Sequence, residues 1–584
     1  MNWILLFVVI IVFLIIYIHI EKNKRKQINE LKKDFEQKFN ALSEANKKLN
    51  ETIDSNRHQI DLLTNTNLTL TQALNSEKQQ KVILNQTVEQ LDNNIDCLNT
   101  QIEYIKKENE AKIEKYNNEI FRLNHQIETI KDSSSPAARL MQIIESTDHS
   151  FFITGKAGTG KSTFIKYLKD HSKRKIVFVA PTGIAALNIG GKTIHSFFSI
   201  PIIPFVDATT KRHLILKEGT INCVKELDML VIDEISMVRP DILDTIDYLL
   251  KKYRSNDMPF GGLQVIMVGD PYQLPPVMDN KENITIQYNK RNIQGTQQHV
   301  FDIVYKGKYF FHSIIFKELI SSKLIDFIEL LKVYRQSDPK FIDTLNAIRI
   351  GSKDIDLNIL NQAVDQNMNG LISLCPRRKK ADNINALKLS ELSAPEFTFE
   401  AILSGTFNPE DSTYVKDLDY PAPKQLKLRN GAQVMIIKNM PNGWVNGTIG
   451  TVYIENNRQL FVEVNGIRQQ LNHEKWQDIN YVYDAENDKI SYEEVGSFSQ
   501  YPIQLAYAIT VHKSQGKTFD SINIVTEFDG DFFDEGQAYV AISRVRSLNG
   551  LHLSRAIGHS AIKVDQSVIN FMDNTFATNA MKLI

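Results

Sequence analysis

Cysteine is nearly missing from this chain: Cys97, Cys223 and Cys375 are all that 584 residues contain. They stand far apart, with no C-x-x-C pair and no histidine at ligand spacing. That excludes a disulfide framework and a zinc module, and it fits a reducing compartment. Net charge is nearly missing as well. A formal charge of −1 leaves no broad basic face, so a nucleic-acid partner would have to lie in a local groove. Residues 28–130 lack proline and glycine, and Trp3 to Ile20 lacks any full charge. These last two absences each mark a segment.

Trp3–Ile20 is apolar apart from Tyr17 and His19. As a helix it would span about 27 Å, near the ~30 Å of a bilayer core. Only Met1 and Asn2 precede the run, whereas Lys22, Lys24, Arg25 and Lys26 follow it. This is the reverse of a signal peptide, and it predicts a membrane anchor over 1–20 with the rest of the chain on the cytoplasmic side. Residues 21–131 then carry a heptad repeat. One series runs through Ile28, Phe35, Leu42, Leu49, Asn56, Leu63, Leu70, Glu77, Leu84, Leu91, Leu98 and Ile105, ten of the twelve apolar; its partner includes Phe39, Ile53, Ile60, Leu74, Val88, Ile95 and Ile102. Taking the second series as a and the first as d gives β-branched a and leucine-rich d, the pattern of a parallel dimer. The phase shifts at Ile113, a stutter, and the rod could reach roughly 150 Å. Lys131-Asp-Ser-Ser-Ser-Pro136 reads as a linker.

Past the linker the pattern changes to short apolar strands alternating with helical stretches, the mark of a parallel α/β sheet. Phe151-Phe-Ile-Thr-Gly-Lys-Ala-Gly-Thr-Gly-Lys-Ser-Thr163 runs from a strand through three glycines into a helix. Such glycines let backbone N–H groups surround a phosphate, and the helix N-terminus favours the anion. Lys161 is expected on the β- and γ-phosphates and Ser162 on Mg²⁺. Strands at 176–179, 229–232 and 265–268 end in Ala180-Pro-Thr-Gly183, Asp233-Glu234 and Gly269-Asp-Pro-Tyr-Gln273. Polar groups thus gather at the C-terminal ends of the strands, where parallel sheets bind ligands. Asp233 suits Mg²⁺, and Glu234 can orient and deprotonate the attacking water. Gln273 can sense the γ-phosphate.

Gly155–Ser162, Ala180–Ala186, Thr193–Phe198, Ile232–Met237, Gly269–Pro276, Tyr334–Gln336, Thr510–Thr518 and Gln537–Arg544 match in order the motifs of a known family. The chain resembles a superfamily 1B DNA helicase of the PIF/RecD-like class over roughly residues 140–570. The resemblance implies two RecA-like P-loop lobes with ATP between them, single-stranded DNA across the top, and a small β-barrel inserted in the second lobe. The implied segments are 132–320 for the first lobe, 321–424 and 501–584 for the second, and 425–500 for the barrel. Arg335 and Arg544 become fingers to the γ-phosphate, where an always-charged planar fork suits developing charge. Gly155, Ala157, Gly158, Thr159, Gly160, Lys161, Ser162, Thr163 and Gly516 are expected at the nucleotide. Pro181, Thr182, Gly183, His195, Thr510, His512 and Lys513 are expected at DNA, together with Phe197, whose ring suits base stacking and a core equally. Gln142 is the nearest candidate for an adenine-reading glutamine. The implied activity is ATP- and Mg²⁺-dependent unwinding of partially duplex DNA, moving 5′→3′. A single-strand translocase and a membrane-tethered nucleotide switch are the alternatives.

Overall fold

A computed structural model describes residues 8–11, 96, 98–101, 103 and 136–583, the last stretch with breaks at 289–290, 365–369, 409–419, 441–442, 456–457, 527–531 and 578–579. Residues 1–128 and 129–584 form separate units. The expected anchor, apart from helical residues 8–11, and nearly all of the expected coiled coil lie outside the described residues. Among the described residues no helix is long and apolar enough to cross a membrane. This corrects the expectation of a single-pass membrane location: a bilayer core needs about 20 helical residues.

In the second unit, β1 (Ser150–Gly155), β2 (Ile176–Ala180), β4 (Met229–Ile232) and β5 (Gln264–Val268) are buried at every residue, and β3 (Lys192–Thr193) lies at an edge. Strands covered on both faces need the near-continuous apolar runs seen in the sequence. Between β5 and the next strand of this sheet, the antiparallel hairpin β6 (Asn283–Tyr288) and β7 (Arg291–Thr296) sits over its own small core of Phe205, Ile286, Val300, Phe301 and Tyr305.

The first sheet also takes β8 (Ile325–Leu330), parallel to β1 over six residue pairs, and then the final strand Ala580–Leu583 beside β8. Its order is Ala580–Leu583, β8, β1, β5, β4, β2, β3. The resemblance places the end of this lobe at 320, and β8 carries it further. No glycine or proline separates Phe310 from β8, and an apolar strand carries no mark of which sheet it will join. The C-terminal residues 565–583 likewise return to the first lobe, where Phe571 stacks on Phe311 with ring centroids 4.4 Å apart.

The second lobe is a parallel sheet in the order Ala508–Thr510, β9 (Ile372–Cys375), Ile522–Ile524, Leu551–Leu553. Inserted in it is an antiparallel sheet in the order Ile467–Gln470, Leu460–Val464, Ile449–Ile454, Gln433–Ile436, Ile503–Leu505. It shares a core with the paired strands Glu396–Glu400 and Gln425–Arg429 through Phe399, Leu426, Val434, Val452 and Val462. The inserted module therefore begins near 396 rather than 425. Alternate burial along Ile449–Ile454 is the period of a half-buried strand. A long hairpin, Glu474–Asp484 with Lys489–Gln500, leaves this module and ends on the first lobe. There the Tyr481 hydroxyl accepts from Phe178 N–H at 3.3 Å, and Lys192 Nζ donates to Asn480 Oδ1 at 2.5 Å.

Candidate active site

The turn after β1 is held by Gly158 and Gly160 at φ 83° and 90°, a left-handed conformation natural to glycine. A Cβ on Gly158 would stand 2.5 Å from Arg335 Cβ, so the loop can lie against the Tyr334–Gln336 segment only with glycine there. Gly160 caps the helix Lys161–His171, and Ser162 and Thr163 are exposed in its first turn. Lys161 is half-buried, and its ammonium donates to the carbonyls of Gly155 and Lys156 at 2.5 and 3.0 Å. Burial lowers its pKa, opposed by Asp270 and Glu234. Thr159 closes the loop on the Lys156 carbonyl at 2.9 Å. The Ala157 N–H donates across the cleft to the Tyr539 hydroxyl at 2.8 Å.

β4 delivers two carboxylates. Asp233 Oδ1 accepts from the Glu234 N–H at 2.9 Å. Glu234 holds φ 50° and ψ 44°, a left-handed conformation that costs a non-glycine residue on the order of 1–3 kcal/mol and tends to mark function. Its Oε2 accepts from Gln515 Nε2 of the second lobe at 2.9 Å. Burial, with Glu234 adding, pushes Asp233 up to about 7; burial also raises Glu234, opposed by Lys161 and Arg544. Two enclosed carboxylates beside one enclosed ammonium, with Ser162 on the adjoining helix, make an oxygen-rich place that suits a divalent cation. The loop N–H groups and Lys161 suit its phosphates. The residues present therefore fit Mg²⁺-ATP.

β5 leads to Gln273, buried, with Nε2 3.5 Å from Asp270 Oδ2 and Oε1 3.4 Å from Gln515 Nε2. Opposite stand both arginines. Arg335 Nη1 donates to the Ser543 carbonyl at 3.1 Å, and Arg544 Nε to the Val540 carbonyl at 2.7 Å. Burial and the neighbouring Arg335 push Arg544 down to about 9. Gly516 has φ 76° and open space where a Cβ would stand, so a ligand can approach its backbone closely.

The residues expected at DNA divide. Thr182, Thr193 and Thr510 each accept the backbone N–H three residues on and so start short helices at the strand ends. Pro181 and Gly183 flank Thr182 on a partly exposed rim. Burial, with Arg239 nearby, lowers His195 to about 4, and burial lowers His512 and Lys513. Phe197 is 2% exposed, packed edge-on against Phe198 and Tyr481. A ring so enclosed offers no face to a base, and the stacking role is withdrawn in favour of the core. Gln142 is exposed on the helix Pro136–Glu145.

Sequence reasoning missed Gln515 and Tyr539, although both lie inside matched motifs. It also missed Tyr334, exposed beside Gly160 with Lys332 over its ring at 5.2 Å. Arg377, Arg378, Lys379 and Lys380 open the helix Arg378–Ser390, and Arg378 repels Lys513. The run was visible as charge, but not its place beside Thr510–Lys513.

Two parallel-sheet lobes with a phosphate loop, paired carboxylates and facing arginines define a P-loop nucleoside triphosphatase of the RecA-like class. Residues 136–352 match the PIF1-like helicase family, and residues 417–454 match the DNA helicase Pif1 2B domain. The chain is 32% identical to the ATP-dependent DNA helicase Pif1 of Bdellovibrio bacteriovorus over 450 residues, covering 75% of this chain and 91% of that one. It is 33% identical to human ATP-dependent DNA helicase PIF1 over 456 residues, covering 75% of this chain and 63% of the human protein. Crystalline Bacteroides Pif1 with ADP-AlF4 is 34% identical, with TM-score 0.64, over 75% of this chain and 96% of that chain. The chain belongs to the PIF1-like helicase family. It spans 58–66% of the length of the animal and fungal relatives it matches.

Proposed function

We propose that this chain is an ATP-driven DNA helicase that moves 5′→3′ on single-stranded DNA. One observation carries the reading: Gln515, two residues beyond Lys513 at the candidate DNA rim, donates to Glu234, the candidate base, across the cleft. A strand gripped at Thr510, His512 and Lys513 thereby bears on the residue that activates water. Family membership supports the substrate class, and the Bacteroides relative is described in complex with single-stranded DNA. Mg²⁺-ATP, when bound between the lobes, would favour closure of the cleft and supply the phosphoryl group that passes to water. In this reading Lys161 and the loop N–H groups hold the phosphates, Ser162 and Asp233 hold the metal, and Glu234 takes the proton from water. Gln273, Arg335 and Arg544 meet the γ-phosphate. The test is ATP hydrolysis by the chain with and without single-stranded DNA. Stimulation of about tenfold or more is expected because closure on the strand aligns Glu234 and the arginines with the phosphate; equal rates would overturn the reading.

The heptads of residues 28–130 support a further part of the proposal, a parallel homodimer through this segment. Residues 22–131 expressed alone are expected to be helical and dimeric in sedimentation at micromolar concentration. Replacing Asn46 and Asn67, which fall at a positions, by Leu is expected to raise stability and loosen the choice of oligomer. A monomer throughout would identify a single solvated helix instead.

A further inference from the structure

Behind the phosphate site lies an ion pair that the proposed chemistry does not use. Asp270 follows β5 in the first lobe and is fully buried; Arg349, 5% exposed, lies on the helix Pro339–Ile350, whose Phe341, Leu345 and Ile348 pack in the second-lobe core. The two meet fork to carboxylate. Arg349 Nη2 donates to Oδ1 at 2.8 Å and Nε to Oδ2 at 3.1 Å. The guanidinium also lies 4.3 Å from the centroid of the Tyr272 ring. The same carboxylate accepts from the Tyr272 N–H at 3.2 Å and stands 3.5 Å from Gln273 Nε2. Tyr272 and Gln273 in turn present their carbonyls to Gly536, where a Cβ would come within 2.4 and 2.5 Å of them. One turn of the first lobe is thus gripped from two sides by the second. A buried pair of this kind adds little net stability against apolar residues of the same size, but its two-pronged geometry fixes one orientation.

We infer that Arg349 is a positioning residue for Gln273: its fork on Asp270 pins the Asp270–Gln273 turn to the second lobe. The inference rests on the proposed ATPase reading, in which Gln273 meets the transferring phosphoryl group. While the pin holds, closing the cleft brings Gln273 to the same place in each cycle. Without it the turn loses its tie to Arg349, and the sensor drifts relative to Lys161 and Glu234.

The test uses the full chain and three variants, Arg349→Met, Arg349→Met with Asp270→Leu, and Arg349→Lys. Each is measured for melting temperature, ATPase with single-stranded DNA, and fluorescent ADP affinity with and without aluminium fluoride, which mimics the phosphoryl group in flight. Arg349→Met leaves a buried carboxylate alone and is expected to melt early; the double variant removes both charges and is expected to recover the melting temperature. In the double variant KM for ATP and ADP affinity stay near wild type. Its kcat falls about 100-fold, the scale of a ~1 Å misplacement, and the tightening by aluminium fluoride falls with it. Arg349→Lys keeps the charge without the fork, so its kcat is expected between the two. A double variant with wild-type kcat and tightening would show the pair to be structural only and would overturn the inference. If neither methionine variant folds, Arg349→Lys decides in the same way: wild-type kcat and tightening overturn the inference. A wild-type chain that tightens on aluminium fluoride but hydrolyses no ATP overturns the ATPase reading and leaves the tightening to decide the positioning. A wild-type chain that does not tighten overturns both.

Discussion

Glu234→Gln is expected to bind ATP as the wild type does and to hydrolyse it about 10²–10⁴-fold more slowly, the usual contribution of a general base. The substitution preserves volume, and its side-chain oxygen can still accept from Gln515 Nε2, so the cross-cleft contact survives while the base does not. Lys161→Ala should differ in kind. Its ammonium is bonded to the loop's own carbonyls, so alanine removes a cation held against the phosphate loop and frees those carbonyls. ATP binding should weaken together with turnover. Nucleotide affinity from a fluorescent analogue and steady-state phosphate release separate the two. Turnover in Lys161→Ala above about a tenth of wild type would remove the loop from its role in phosphoryl transfer.

Features that need only local chemistry were legible in the sequence. Gly158 and Gly160 had to be glycine, and Asp233-Glu234 had to follow an apolar strand. The capping threonines at 182, 193 and 510 sit at strand ends because polar groups there have no core to enter. Features that depend on which surfaces meet were not legible. β8 and the last strand join the first sheet because β1 would otherwise present an open edge, and nothing in Ile325–Leu330 names its neighbour. Phe197 reads identically as a stacking platform and as core; only the approach of Tyr481, 284 positions later in the chain, decides it. Arg349 falls outside every matched motif, and a single arginine in an amphipathic helix ordinarily faces water. Its meaning comes from Asp270 alone.

A partial duplex with a 5′ single-stranded tail is expected to be unwound, and one with only a 3′ tail is not. The proposed direction rests on the family resemblance, and the structure supplies a linkage that directed motion requires. Arg335 ends on the Ser543 carbonyl, and Arg544 ends on the Val540 carbonyl and on the turn 514–517 that carries Gln515. Charge developing on the phosphate therefore draws on the same segment that bears Thr510, His512 and Lys513. Alanine at Arg335 or Arg544 should spare DNA binding and reduce DNA-stimulated hydrolysis by about 10³-fold or more, as loss of an arginine finger does. Arg544→Ala also frees the Val540 and Lys517 carbonyls, so its melting temperature must be read beside its rate; Arg544→Lys, which refills the space, is expected to restore the melting temperature more than the rate. DNA affinity should fall steeply with salt and vary little with sequence, because contacts to the charged backbone supply it. Strand displacement on the two tailed duplexes decides the direction. Preference for the 3′ tail would overturn it. Strong DNA-stimulated hydrolysis without displacement of either duplex would identify a translocase that clears proteins from single strands.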